Sequence, residues 1–214
     1  MRSAAGCLFE LVETVVLTVV IFLVIQTLVA QPYKVEQHSM EDTLLPEQYV
    51  LVDKLTPRFN EYSRGDVIVF EPPPEYGGDG TPFIKRVIGL PGDMIEIHDG
   101  AVYVNEIRLE ETYVRQNEPT QASGSASSWA IGAGDLFVLG DNRENSSDSR
   151  VFGPVRQDSV VGRAWLRYWP LDSFGILVHP VYPELGQRAF AQPGARGTSH
   201  GAARRLAVAH ATAV

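Results

Sequence analysis

Two side chains in this sequence are of the types needed for nucleophilic acyl chemistry. Ser39 stands in "VEQHSMEDTLL" (35–45) and Lys85 in "PFIKRVIGL". A serine hydroxyl is a poor nucleophile until a base takes its proton. His38, directly beside Ser39, invites a serine–histidine reading. The other histidines are poor candidates. His200 and His210 lie near the carboxyl end, His98 sits at a hairpin edge in "EIHDG", and His179 precedes Pro180. Lys85 is a different case, because its neighbours are apolar. On a strand, Phe83, Lys85 and Val87 share one face and Arg86 points to the other. An ammonium held against Phe and Val loses hydration and its pKa falls. The neutral amine can then act as a general base, the serine–lysine variant of hydrolytic catalysis. On composition alone, a lysine reaching out from a strand edge is the commoner fate of such a residue.

A strand-rich scaffold has to position the pair. "YVLVDKL", "GDVIVFEPP", "FIKRVIGLPGD", "MIEIHDGAVYVN", "GDLFVLGDN" and "VVGRAWLRYWPL" are β-branched runs closed by Gly, Pro, Asp or Asn. No long helical period occurs between residues 33 and 180. The sequence therefore predicts a mainly β, antiparallel body over 32–182. The polar stretch 117–134 predicts a flexible inserted loop. Residues 183–214 predict a disordered tail.

Ahead of the body, Thr14–Ala30 carries no charge and is rich in Val, Leu, Ile and Phe. Together with Cys7–Val12 the segment is long enough for a bilayer core, which takes roughly 17–25 residues, although Glu10 and Glu13 sit near its start. It exceeds a signal-peptide core and predicts a retained single span within an anchor over 1–31, ended by Pro32. Arg2 places the amino end weakly on the cytoplasmic side. No second run of that length follows, so the body is expected on the other face.

Charge and cysteine count narrow the function classes. The chain carries −8 in total, while four arginines and no acid follow Glu184, so the preceding part carries −12. An acidic body argues against nucleic-acid binding, which needs a basic face. Cys7 is the single cysteine, so neither an internal disulfide nor a thiolate-paired zinc site can form. "DNRENSSDSR" has a faint calcium-loop look, but Arg143 occupies a ligand position and Ser146 stands where glycine is needed. Neither metal nor cofactor is expected.

Three blocks in this order resemble bacterial signal peptidase I: "SM" with "TL" after a span, "FIKRVIGLPGD", and "GDNRENSSDSR". The resemblance covers roughly residues 31–155. It implies a membrane-bound serine endopeptidase whose partners are the signal peptides of exported preproteins and the lipid bilayer. Ser39 would be the nucleophile and Lys85 its base. Ser146 would orient the lysine amine, and Asp141, Asp148 and Arg150 would hold the site together. The Ser39 N–H would be one oxyanion donor. Val35, Met40, Leu44 and Ile84 would line pockets for small side chains of the substrate.

Two departures from the family pattern stand out. Gln37 replaces the usual serine or glycine two places before the nucleophile, and Asp42 replaces a proline. On an extended segment Gln37 and Ser39 would project to the same side, which makes the Gln37 amide the candidate second oxyanion donor. Asp42, if close to Lys85, would favour the protonated amine. These departures leave open a decayed, non-catalytic relative. A self-cleaving repressor shares the serine–lysine chemistry, but would need a DNA-binding domain where this chain has an apolar run.

Overall fold

The computed structural model describes residues 4–55, 61–77 and 80–186. After an amino-terminal helix come two antiparallel sheets. The larger contains β1 (Ala30–Lys34), β2 (Tyr49–Asp53), β3 (Val67–Phe70), β4 (Phe83–Gly89), β9 (Asp135–Leu139), β10 (Val155–Arg156), β11 (Val160–Trp169) and β12 (Gly175–Ile176). Its order is β1-β2-β11-β3-β4-β9-β10, with β12 added to β11. The smaller sheet runs β7-β6-β5-β8 and is built from β5 (Met94–His98), β6 (Ala101–Val104), β7 (Ile107–Arg108) and β8 (Ser128–Ala130). Every strand pairing among the described residues is antiparallel, and the expected β architecture holds.

Turn chemistry explains the small sheet. β5 and β6 are joined by Asp99-Gly100 with φ of 51° and 74°, and β6 and β7 by Asn105-Glu106 with φ of 51° and 67°. Two successive left-handed residues make the tight turn whose twist suits a two-residue hairpin.

β4 is the element that matters most for chemistry. Its seven residues lie in the middle of the large sheet, between β3 and β9. Ile68 faces Lys85 and Val67 faces Arg86 on one side, while Leu139 faces Arg86 on the other. A central strand buries both faces. Val67, Val69 and Ile84 therefore join one apolar cluster with Val35, Met40, Leu44, Val50 and Val52, while Phe83 and Val87 pack with Ile68, Phe70 and Val138 in another.

The structure corrects several sequence expectations. Stretch 117–134 is not simply a loop: β8 pairs with β5, Trp129 packs on Phe137 at 4.9 Å between ring centres, and Ile131 is buried. The boundary at residue 31 falls inside β1, because the helical segment already ends at Val29. Residues 183–186 belong to the body rather than to a tail. They form a helical turn in which Glu184 Oε1 accepts the Glu110 N–H at 3.0 Å and Leu185 packs against the core. The rest of the expected tail, 187–214, lies outside the described residues.

The amino-terminal helix α1 (Ala4–Val24) continues into a π-helical turn, Ile25–Val29. Its large apolar side chains, from Leu8 through Ile25, are about half exposed or more, so they do not pack against the body. Among the described residues no helix is long and apolar enough to cross a membrane.

Candidate active site

Ser39 sits in a turn, not in the extended segment that its sequence suggested. After β1, residues 37–44 bend and coil, with the Glu41 N–H bonded to the His38 carbonyl at 3.2 Å and the Leu44 N–H to the Met40 carbonyl at 2.7 Å. Met40 and Leu44 anchor the turn by burying completely in the apolar cluster beneath it. Strict alternation therefore fails here: Gln37 is exposed while Ser39 is only 3% exposed. His38 points outward, its Nδ1 at 2.5 Å from Glu41 Oε1. It makes no contact with the serine hydroxyl.

Lys85 supplies that contact. Its Nζ donates to Ser39 Oγ at 2.7 Å and to the carbonyl of Ile84 at 3.0 Å. The Phe83 ring, whose centre is 5.2 Å from Nζ, forms part of the wall around the amine. Lys85 is 1% exposed. Loss of hydration pushes the ammonium down to about 8, against the opposing pull of Asp148 and Asp141. Asp42 is exposed on the turn and is not among the acids acting on this lysine.

Buried ion pairs surround this pair of residues. Arg86 grips Asp141 through Nε at 2.9 Å and Nη2 at 2.7 Å, and the Thr43 hydroxyl donates to the same carboxylate at 2.5 Å. Asp148 and Arg150 form a second two-pronged pair, both bonds at 2.8 Å, and Asp148 also accepts the Gly140 N–H at 3.0 Å. Arg143 pairs with Glu111 at 2.6 Å and 2.9 Å and bonds the Gly140 carbonyl at 3.0 Å. Both peptide groups of Gly140 are thus tied to charged side chains. Gly140 also leaves room that a methyl would fill: a Cβ there would lie 2.5 Å from the Ser39 carbonyl oxygen and would collide with Ser146 Oγ.

The remaining expected site residues divide. Val35, Gln37 and Ile84 line a hollow of about 40 Å³, together with Tyr33, Val50 and Val69. Space for a few water-sized groups suits only a small side chain. Met40 and Leu44 are not among its lining residues. Ser146 Oγ is buried, yet it has no hydrogen-bond partner, so it does not touch the lysine amine that it was expected to orient.

With this geometry in view, the chain can be compared with known proteins. The family described as "Signal peptidase, peptidase S26" matches residues 8–169. A signal peptidase I of Leptolyngbya laminosa is 38% identical over 83% of this chain and 88% of its own. A probable signal peptidase I-2 of Synechocystis is 36% identical over 78% and 76%. A signal peptidase IB of Staphylococcus aureus is 29% identical over 81% and 95%. A crystal structure of a signal peptidase I from Enterococcus faecalis, 38% identical in sequence, covers 49% of this chain and 97% of that one at a TM-score of 0.40. The chain belongs to the signal peptidase family.

Several residues around this signal peptidase site carried no signal when the sequence was read by itself. Arg86 follows Lys85, but nothing local shows that it meets Asp141, 55 positions away. Asn142 and Arg143 lie inside "GDNRENSSDSR" beside Asp141 and Asp148, so the same block signals them. Glu111, 32 positions before Arg143, has no motif of its own. These groups meet only in the folded chain: β9 beside β4 brings Asp141 to Arg86, while Glu111 reaches Arg143 from the segment after β7.

Proposed function

We infer that this chain is a serine endopeptidase that removes signal peptides from exported preproteins, with Ser39 as nucleophile and Lys85 as general base. The observation that carries the assignment is the 2.7 Å contact between Lys85 Nζ and Ser39 Oγ in a site where burial favours the neutral amine. Neutral Lys85 takes the hydroxyl proton as Ser39 Oγ attacks the scissile carbonyl. The ammonium then returns the proton to the departing amine, leaving an ester on Ser39. Water, deprotonated by the same amine, hydrolyses the ester and restores the serine. The Ser39 N–H and the Gln37 side-chain amide are the proposed donors to the carbonyl oxygen as it becomes negative. Asp141, Asp148 and Arg150 hold the site's walls, and the Val35–Ile84 hollow takes a small side chain next to the bond that breaks.

Neither helix alone is long and apolar enough to cross a membrane, but α1 and the π-helical turn together, residues 4–29, are proposed as a single membrane span, with the body on the extracytoplasmic side. Support comes from the uncharged run Thr14–Ala30 and from apolar side chains that no part of the body covers. A body held close to the bilayer also accounts for Trp169, Leu171, Phe174 and Ile176, all at least half exposed around β11 and β12.

The test is cleavage of a preprotein by the detergent-solubilised chain, beside Ser39→Ala and Lys85→Met. Loss of cleavage in both variants, with melting unimpaired, is the expected result. Turnover by Lys85→Met would sink the assignment of the base. An inactive parent chain would favour the decayed relative.

A further inference from the structure

The peptide group joining His38 to Ser39 has two ends, and both bear on catalysis. Its N–H is the proposed oxyanion donor. Its carbonyl, that of His38, lies at the opposite edge of the same rigid plane. Whatever holds the carbonyl therefore aims the N–H. In this structure two donors hold it: the Glu41 backbone N–H at 3.2 Å, from within the turn, and Asn142 Nδ2 at 3.1 Å, from outside the turn. The following peptide is held by the same residue, since the Asn142 backbone N–H donates to the Ser39 carbonyl at 3.1 Å.

Asn142 is itself well fixed. It is 1% exposed. Its Oδ1 accepts the Asn145 N–H at 3.2 Å, and its Nδ2 lies 3.4 Å from Glu41 Oε2. Acceptors on the nitrogen side and a donor on the oxygen side allow the amide only one orientation. Glu41 in turn bonds His38, so that side chain and main chain of the turn close on one another.

We propose that Asn142 is a positioning residue for catalysis: it clamps the peptide planes on both sides of Ser39 and so orients and polarises the oxyanion N–H. A donor to a carbonyl draws charge from the amide and strengthens the hydrogen bond that the N–H can give. The clamp thus acts when charge develops on the substrate oxygen, and has little to offer the resting substrate. This inference rests on Ser39 being the nucleophile, and the experiment below separates the two.

Asn142→Asp keeps shape, the acceptor for Asn145 and the backbone N–H, but its carboxylate cannot donate to the His38 carbonyl. Asn142→Ala removes the side chain without adding charge. Steady-state kinetics on a preprotein, per folded protein as judged by melting at the assay temperature, should show kcat lower by about 10-fold or more in both variants. Removal of a true oxyanion donor costs ~100-fold or more, and a misaimed one should cost less. KM should stay within about twofold, and the acid limb of the pH profile of Asn142→Ala should not move, since Lys85 is untouched. Unchanged kcat in both variants, or a KM that rises as kcat holds, would overturn the clamp. If Ser39→Ala still turned over, the nucleophile assignment itself would fail, whatever the Asn142 variants did.

Discussion

Arg86 and Asp141 meet in a two-pronged ion pair, 2.9 Å and 2.7 Å, with exposures of 1% and 0%. Arg86 is the residue after Lys85 and Asp141 is the residue after Gly140, so the pair couples the lysine strand to the wall behind Ser39. The Arg86 guanidinium also lies 4.1 Å from the centre of the Tyr113 ring and bonds the Gly65 carbonyl at 2.9 Å.

Breaking this pair from one side leaves a buried, unmatched charge. Arg86→Met should destabilise by about 3–5 kcal/mol, whereas Arg86→Met combined with Asp141→Leu should recover much of that. Denaturant unfolding of both variants checks the prediction. Equal loss in the single and double variants would show that the charges are not coupled.

The Lys85 ammonium, pushed down to about 8, sets a pH dependence. The neutral fraction, and with it kcat/KM, should rise about tenfold per pH unit below that value and level off above it. Asp148 is the strongest group holding the ammonium up, so Asp148→Asn should shift the acid limb to lower pH, even as kcat suffers from the unpaired Arg150. The stability sign is the reverse of an ordinary ion pair. The folded lysine has the lower pKa, so between about 8 and the ordinary 10.5 the unfolded chain binds more protons. Stability from this group therefore rises with pH across that window. Lys85→Met should consequently raise the melting temperature at pH 7 by several degrees, with the advantage shrinking above pH 8. A limb that stays put in Asp148→Asn would disprove the electrostatic coupling.

Gly140 has no space for a side chain. Gly140→Ala places a methyl against the Ser39 carbonyl and Ser146 Oγ. The expected cost is about 1–3 kcal/mol of stability, with at least a tenfold loss of kcat because the nucleophile turn must move. Melting and single-turnover cleavage on the same preparation measure both. A fully active Gly140→Ala would show that the turn can yield without harm.

The segment after β12 runs back over the core. Leu177 N–H bonds the Trp165 carbonyl at 2.8 Å, Pro180 covers Gly65, and the Tyr182 hydroxyl meets that of Tyr113 at 2.9 Å. Ending the chain after Val181 removes Tyr182, Glu184 and Leu185 and uncovers part of the small-sheet core. Unfolding should then shift to lower denaturant by a few kcal/mol of lost burial, at about 25 cal/mol per Å² of apolar surface. An unchanged midpoint would mean that these residues only decorate the surface.

Much of this protein was legible in its sequence because the governing physics is local. Alternating β-branched runs closed by Gly and Asp identify β2, β3, β5, β6 and β9, since side chains on a strand must alternate between two environments. The uncharged apolar run from Thr14 marks the second half of α1 and the π-helical turn after it, while Glu10 and Glu13 lie in the first half of the helix. Phe83, Ile84 and Val87 around Lys85 make a desolvated amine one reading of the sequence and a lysine reaching out from a strand edge the commoner one; only the fold, which buries Nζ against Ser39 Oγ, decides between them. Packing decided the rest. The turn that carries Ser39 forms because Met40 and Leu44 drop into a cluster made by β2 and β3, which no local pattern foretells. The strand β8 hides in a polar stretch because its inward-packing apolar residues are few and scattered: Trp129 in the strand, Ile131 just after it and Ala122 before it. The ion pairs Arg86–Asp141 and Arg143–Glu111 join charges 55 and 32 positions apart that meet only in the folded chain, whereas Arg150 finds Asp148 two positions away. A buried charge must be matched wherever its partner lies in the chain, and tertiary structure alone determines which partner is near.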